Sequence, residues 1–189
     1  MDEFFQYLSE LYPLSDELKA ALVGRVQKET YRKNRPLLNA GNFCDWIAFI
    51  ETGLVKVCYD TPGGEEKIIS FAKTGEMTCS IKSFTNNQLS KLAIISLDET
   101  IIRKIRKIEL EAICERFSEF NIHLRKIIAS QSGLIEEYSI FQALTAKEKM
   151  QMLREEKEWM LKDKRLKAYM ISNYLGIDQA TFSRLKYGN

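Results

Sequence analysis

The sequence has a single histidine, and its four cysteines (Cys44, Cys58, Cys79 and Cys114) are dispersed with no C-x-x-C pair. An iron–sulfur centre needs clustered thiolates, and a metal-dependent β-roll enzyme generally needs two or three histidines or a carboxylate cluster in the barrel. Neither set is present, and no nucleophile–base arrangement is legible, so the chain is not read as an enzyme and no cofactor is expected. Long apolar runs are also missing. Stretches such as IAFI and LAIISL fall far short of the roughly 20 residues a membrane span needs. The N-terminus, MDEFFQYLSE, is acidic and lacks the basic-then-apolar layout of a signal peptide. Unpaired thiols then read as reduced, which places the chain in the cytoplasm with no membrane partner. The net charge is only +2, but 45% apolar residues over 189 positions suffice for a core.

What is present changes character along the chain. SDELKAALVGRVQKE, residues 15–29, carries Ser15 as an N-cap and apolar residues at 18, 21, 22 and 26, so it reads as an amphipathic helix. From about 30 to 106, short β-type runs alternate with turn residues, and six of the nine glycines lie between 24 and 75. TPGG at 61–64 reads as a type II turn, with Pro62 at the position it pre-sets and Gly63 at positive φ. Many short strands at this spacing predict a small antiparallel barrel or jelly roll. Helices follow, giving an α+β chain.

Between 119 and 144 one stripe recurs at steps of four and three: Phe120, Leu124, Ile127, Gln131, Leu134, Tyr138 and Phe141. Two readings fit, a core helix lying on the barrel or the heptad seam of a dimer. The second is taken, because Ile128 and Ile135 offer another apolar edge for the barrel. His123, off that seam, reads as solvated or capping. The predicted domains are therefore a sensor at 1–118, a dimerisation helix at 119–144 and a helical head at 145–189. Thr145 and Glu148 form a capping-box signature at the start of that head.

LKAYMISNYLGIDQATFSRLKYG, residues 166–188, is the most informative stretch. Ile171, Leu175, Ile177, Phe182 and Leu185 can share a small core, Gly176 sits at a turn, and Asp178 can cap the next helix. That is a helix-turn-helix pattern, whose second helix reads the major groove of double-stranded DNA. With Phe182 inward, Gln179, Ala180, Ser183 and Arg184 point outward as base contacts: Gln suits adenine, Arg guanine, and Ala the thymine methyl. Residues 159–189 hold six basic residues against two acids, a balance of +4. Lys164, Arg165, Lys167 and Lys186 are the candidate phosphate contacts. The plainer reading is a helical hairpin with a solvated basic face; spacing, cap, glycine and charge together favour DNA.

Taken in order, FIETGLVKVCYD, GGEEKIISFAKTGE and YLGIDQATFSRL resemble the Crp/Fnr family of bacterial transcription regulators, from about Leu14 to Lys186. The resemblance implies a cyclic-nucleotide-binding-like double-stranded β-helix, a homodimer through residues 119–144 and sequence-specific DNA binding. RNA polymerase is a candidate further partner, although no sequence pattern marks its patch. Members of the family usually add a β-hairpin wing to the head, and the sequence ending at Asn189 is expected to leave the head reduced. Members that bind a cyclic nucleotide place a glutamate on the ribose hydroxyl and an arginine on the cyclic phosphate. Gly75 and Glu76 match the first element, but the arginine slot falls at Ser90, with Lys91 or Lys82 as substitutes of lesser reach. One neutral hydrogen bond replaces two charge-assisted ones, so the effector pocket (Gly75, Glu76, Ser90, Lys91) is expected not to be tuned for cyclic AMP. The alternative function is a sensor or scaffold module whose helical tail binds protein and not DNA.

Overall fold

A computed structural model of the chain describes residues 1–188; Asn189, the last residue of the predicted head, lies outside the described residues. The chain opens with α1 (Asp2–Leu11) and α2 (Asp16–Val23), then runs through β1 (Gln27–Tyr31), β2 (Pro36–Leu38), β3 (Trp46–Thr52), β4 (Leu54–Asp60), β5 (Glu66–Lys73) and β6 (Met77–Thr78). A short α3 (Ile81–Asn86), β7 (Ala93–Ser96) and β8 (Thr100–Arg106) follow. The rest is helical: α4 (Lys107–Arg116), the long α5 (Phe120–Gln142), α6 (Ala146–Glu156), α7 (Trp159–Lys162), α8 (Ala168–Leu175) and α9 (Gln179–Tyr187). The strands make two four-stranded sheets of order β1-β8-β3-β6 and β2-β7-β4-β5, the expected roll. Two compact units emerge. One holds residues 1–57 and 71–133; the other holds 58–70 and the chain from Leu134 on.

In the first unit, β3 is buried at every position from Trp46 to Ile50. A strand reads as a continuous apolar run when both of its faces are covered. The roll interior covers one face, and α1 helps cover the other, its Phe4 and Tyr7 rings 5.6 and 5.5 Å from Phe49. The sequence reading had no α1, because only Phe4 and Leu8 are buried along it, too few to show a period. Antiparallel pairing of β3 with β8 sets Ile47 opposite Ile105 and Ile50 opposite Ile102. Between β3 and β4, Gly53 adopts φ +119, and a Cβ there would meet Thr100 Oγ1 at 2.5 Å, so only glycine allows the close approach.

Two local expectations change. The helix capped by Ser15, whose Oγ accepts from Leu18 N at 3.2 Å, ends at Val23 and not at 29. Residues 27–31 pair with β8 instead, from Gln27 opposite Lys104 to Tyr31 opposite Thr100, and that ladder overrides their helical pattern. His123 is not solvated but wholly buried. Its Nε2 lies 3.0 Å from Tyr12 O and its Nδ1 3.3 Å from Glu119 O, with the ring stacked on Phe120. The histidine thus ties the exit of α1 to the start of α5.

The stripe on α5 requires the larger correction. Phe120 and Ile127 are buried, and Gln131 Nε2 donates to Met77 O of β6 at 3.1 Å, all within the first unit. In the second unit, Tyr138 and Phe141 pack on the Tyr174 ring of α8, at 5.8 and 5.3 Å. Each half of the predicted seam therefore faces its own chain. Of the two residues assigned to the barrel, Ile128 is half-buried and Ile135 is 44% exposed, and Ile140 beyond them is 60% exposed. A core-facing helix and a dimer seam share the same i, i+3, i+4 spacing, so periodicity could not separate them.

The second unit begins with the hairpin 58–70. Its turn is not type II: Gly63 has negative φ, Gly64 has φ +78, and Gly64 N donates to Thr61 O at 2.8 Å. That geometry is a type I turn followed by a left-handed glycine. The capping box on α6 forms as expected, Thr145 N donating to Glu148 Oε2 at 2.8 Å and Glu148 N to Thr145 Oγ1 at 3.4 Å.

Candidate nucleic-acid interface and effector cassette

The head is a helix-turn-helix built by local rules. Helix α8 ends in a Schellman motif, with Ile177 N donating to Ser172 O and Gly176 N to Asn173 O, both at 3.0 Å. Gly176, at φ +66, supplies the left-handed residue that this motif requires. Asp178 then caps α9, its Oδ1 accepting from Thr181 N at 2.8 Å. That backbone N–H holds the Asp178 carboxyl below the usual carboxylate range. Ile171, Leu175 and Phe182 are all 2% exposed or less, and Met150, Leu153 and Met160 are buried with them.

With Phe182 fixed inward, all four predicted base-contact residues, Gln179, Ala180, Ser183 and Arg184, are exposed. Arg184 Nη2 donates to Thr181 Oγ1 at 3.0 Å, which aligns the guanidinium along the helix. The phosphate candidates are less uniform. Lys164 and Lys167 are exposed, and Lys186 lies over the rings of Phe182 and Tyr187 at 5.8 and 5.3 Å. Arg165 differs, because Asp163 grips it with Nε–Oδ1 at 2.9 Å and Nη2–Oδ2 at 2.6 Å. That hydrogen bond holds the Asp163 carboxyl low, and the carboxylate offsets the charge Arg165 would bring to a phosphate.

The sequence did not single out three residues that hold the head together. Lys149 is 6% exposed, its ammonium destabilised by burial, and its Nζ reaches Gln142 Oε1 at 3.4 Å. Gln142 Nε2 in turn donates to Tyr174 O at 3.0 Å, near the end of α8. Asn173 uses its side chain on the hairpin: Oδ1 accepts from Ile68 N and Nδ2 donates to Glu66 O, both at 2.8 Å. An asparagine inside a short helix is a poor helix former, and that was the one available signal.

The candidate effector cassette, residues 75–93, belongs to the first unit. Gly75, at φ +89, and Glu76 form the turn into β6. Glu76 Oε2 accepts from Lys73 N at 3.0 Å, so the carboxylate bonds the turn that carries it. Ser90 is buried before β7 begins, and its Oγ donates to Ser80 Oγ at 2.8 Å and accepts from Leu92 N at 3.0 Å. Ser80 N donates to Cys44 Sγ, and Cys44 N donates to Ser83 Oγ at 2.9 Å. This network satisfies its members with short neutral groups. Lys91 and Lys82 are both exposed, and Lys91 precedes the strand instead of lying in it. Ser90 thus bonds Ser80 and Leu92, Glu76 bonds the turn at Lys73, and both lysines are exposed.

Among the described residues no group of three or more histidines, cysteines or carboxylates could hold a metal, and no helix is long and apolar enough to cross a membrane. The sequence model of the cyclic nucleotide-binding domain matches residues 28–117. No curated protein is a significant sequence match. Solved structures are similar in fold at low identity. FixK2 from Bradyrhizobium japonicum is 19% identical, covering 85% of this chain and 82% of that one, with a TM-score of 0.73. The c-di-GMP responsive global regulator CLP from Xanthomonas campestris is 12% identical, covering 90% and 89%, with a TM-score of 0.69. A protein from Eubacterium rectale described as a regulator of the crp/fnr family is 14% identical, covering 93% and 85%, with a TM-score of 0.69.

Proposed function

For a chain whose residues 28–117 match the model of the cyclic nucleotide-binding domain and whose fold is similar to that of a Crp/Fnr regulator, we propose the function of a DNA-binding transcription regulator. The observation that carries this reading is the face of α9. Four outward residues able to read bases, Gln179, Ala180, Ser183 and Arg184, stand opposite a buried Phe182 on a capped helix after a glycine turn. Lys164, Lys167 and Lys186 supply the surrounding positive charge, and Arg165 contributes less because Asp163 holds it. The regulator acts as a homodimer through α5, along the outward edge of Ile128, Ser132, Ile135 and Ser139, whose serines allow close approach. Two heads then present two recognition helices to one duplex.

Arg184→Ala tests the base-reading face. Against duplexes selected from a random pool, it should weaken binding by about 1–3 kcal/mol, roughly 5- to 150-fold, and relax the preference at one position. Ala substitution of Lys164 should instead weaken all duplexes alike. Unchanged selection and affinity with Arg184→Ala would reject α9 as the reader and favour a tail that docks protein.

The cassette supports a regulator not tuned for cyclic AMP. A ligand at about 100 times its Kd stabilises the folded state by roughly 2.7 kcal/mol, a readily visible rise in melting midpoint. Millimolar cyclic AMP and cyclic GMP are both expected to leave the midpoint of this protein where it was. A clear rise would mean that the Ser80–Ser90 network opens to admit a phosphate, and the assignment would be wrong.

A further inference from the structure

Strand β5 is the outer strand of its sheet, and an outer strand presents backbone N–H and C=O groups with no neighbouring strand to take them. Over Glu66–Ile68 the side-chain amide of Asn173 takes that place, accepting from Ile68 N and donating to Glu66 O at 2.8 Å each. Ile68 is fully buried. Successive side chains of a strand alternate in direction, so Lys67 emerges on the face opposite Ile68. There, with Tyr169, Ser172, Ile177 and Gln179, it lines a cavity of about 440 Å³, whose one carboxylate, Asp178, is engaged as the cap of α9. The ion pair of Lys67 with Glu65, at 3.6 Å, is exposed on both sides, 40% and 74%. Such a pair contributes little and exchanges readily for a stronger anion.

The cavity brings together a cation from the hairpin and the first base-contact candidate of α9. A duplex whose major groove receives Gln179 runs its sugar–phosphate strand past the rim of that helix, and most protein–DNA hydrogen bonds go to that backbone. We propose that Lys67 contacts a DNA backbone phosphate beside the base read by Gln179, so that the hairpin 58–70 is part of the nucleic-acid surface. Asn173 is the positioning residue, holding the strand that carries the lysine. This inference rests on the DNA-binding reading of α9 and adds to it a contact outside the helix-turn-helix.

The test is fluorescence anisotropy on a mixed-sequence duplex over a series of salt concentrations. Each neutralised phosphate contributes about 0.9 to the slope of log affinity against log salt. Lys67→Ala should therefore lower the slope by about one and weaken binding several-fold whatever the sequence, and Lys67→Arg should restore both. Asn173→Ala should reproduce part of the loss, and the double variant should lose no more than Lys67→Ala alone. A Lys67→Ala slope equal to wild type, with Arg184→Ala still weakening binding, overturns the hairpin contact and leaves the DNA reading standing. Absence of duplex binding by the wild-type protein overturns both. Lys67 is a partly exposed surface residue, so this comparison holds even where Asn173→Ala fails to fold.

Discussion

Ile135→Glu is expected to turn a dimer into a monomer and to weaken duplex binding by on the order of a hundredfold or more, while the melting transition of the monomer stays close to wild type. The size of the effect comes from linkage. Joining two heads makes the second contact with DNA intramolecular, which raises avidity by about 10²–10⁴ over a single head when the geometry permits both. Ile135 is 44% exposed in the single chain, and Ile140 beyond it is 60% exposed. A glutamate there is compatible with the helix, but at a two-fold interface it would face its own copy. Sedimentation gives the oligomeric state directly. The contrast is Ile127→Glu, which buries a charge at a position 1% exposed and should unfold the first unit. If Ile127→Glu gave a folded monomer and Ile135→Glu remained a dimer, the seam would lie along Phe120–Phe141 after all.

Phe182→Ala should abolish duplex binding by melting the head. Phe182 is 1% exposed, and truncating a buried phenylalanine costs about 3–5 kcal/mol. The core it shares with Leu175, Ile171 and Met150 is small, so a loss of that size is comparable to the whole stability of many domains. Hydrogen exchange separates this from a local defect. Amides of α8 and α9 should lose protection together, while those of β3 and β8 keep theirs. Full protection of α9 in the variant would show that this helix does not depend on the Phe182 anchor.

Local chemistry explains which features were legible. The capping box at Thr145, the cap at Asp178 and the Gly176 turn each depend on residues within about one helical turn of one another, and all three formed. The cap at Ser15 formed too, yet the helix it starts stops at Val23, because residues 27–31 are recruited by β8 from far along the chain, from Gln27 opposite Lys104 to Tyr31 opposite Thr100. The TPGG turn was placed correctly and typed wrongly, since the positive φ falls at Gly64 and not Gly63, a choice made by the hairpin's strand pairing.

In the candidate site, the direction of α9's side chains followed from Phe182 alone, because one buried position fixes the rest of a helix by its period. The partners were not legible. Arg165 read as a free cation until Asp163, two residues away, proved to be folded onto it. Ser90 read as a serine in the place of an arginine, and its hydrogen bond to Ser80 was not legible.

The sequence by itself determined the α+β order, the roll followed by helices and the capped helix-turn-helix. Those follow from periodicity, residue type and short-range hydrogen bonding, which a linear chain displays. Only the tertiary structure decided which edge of α5 faces outward, where the β5 edge finds its partner in Asn173, and how the cassette hydroxyls satisfy one another. The reason is the same in each case: an apolar stripe or an unpaired backbone group states that it needs a partner, and only the folded chain says which surface provides it.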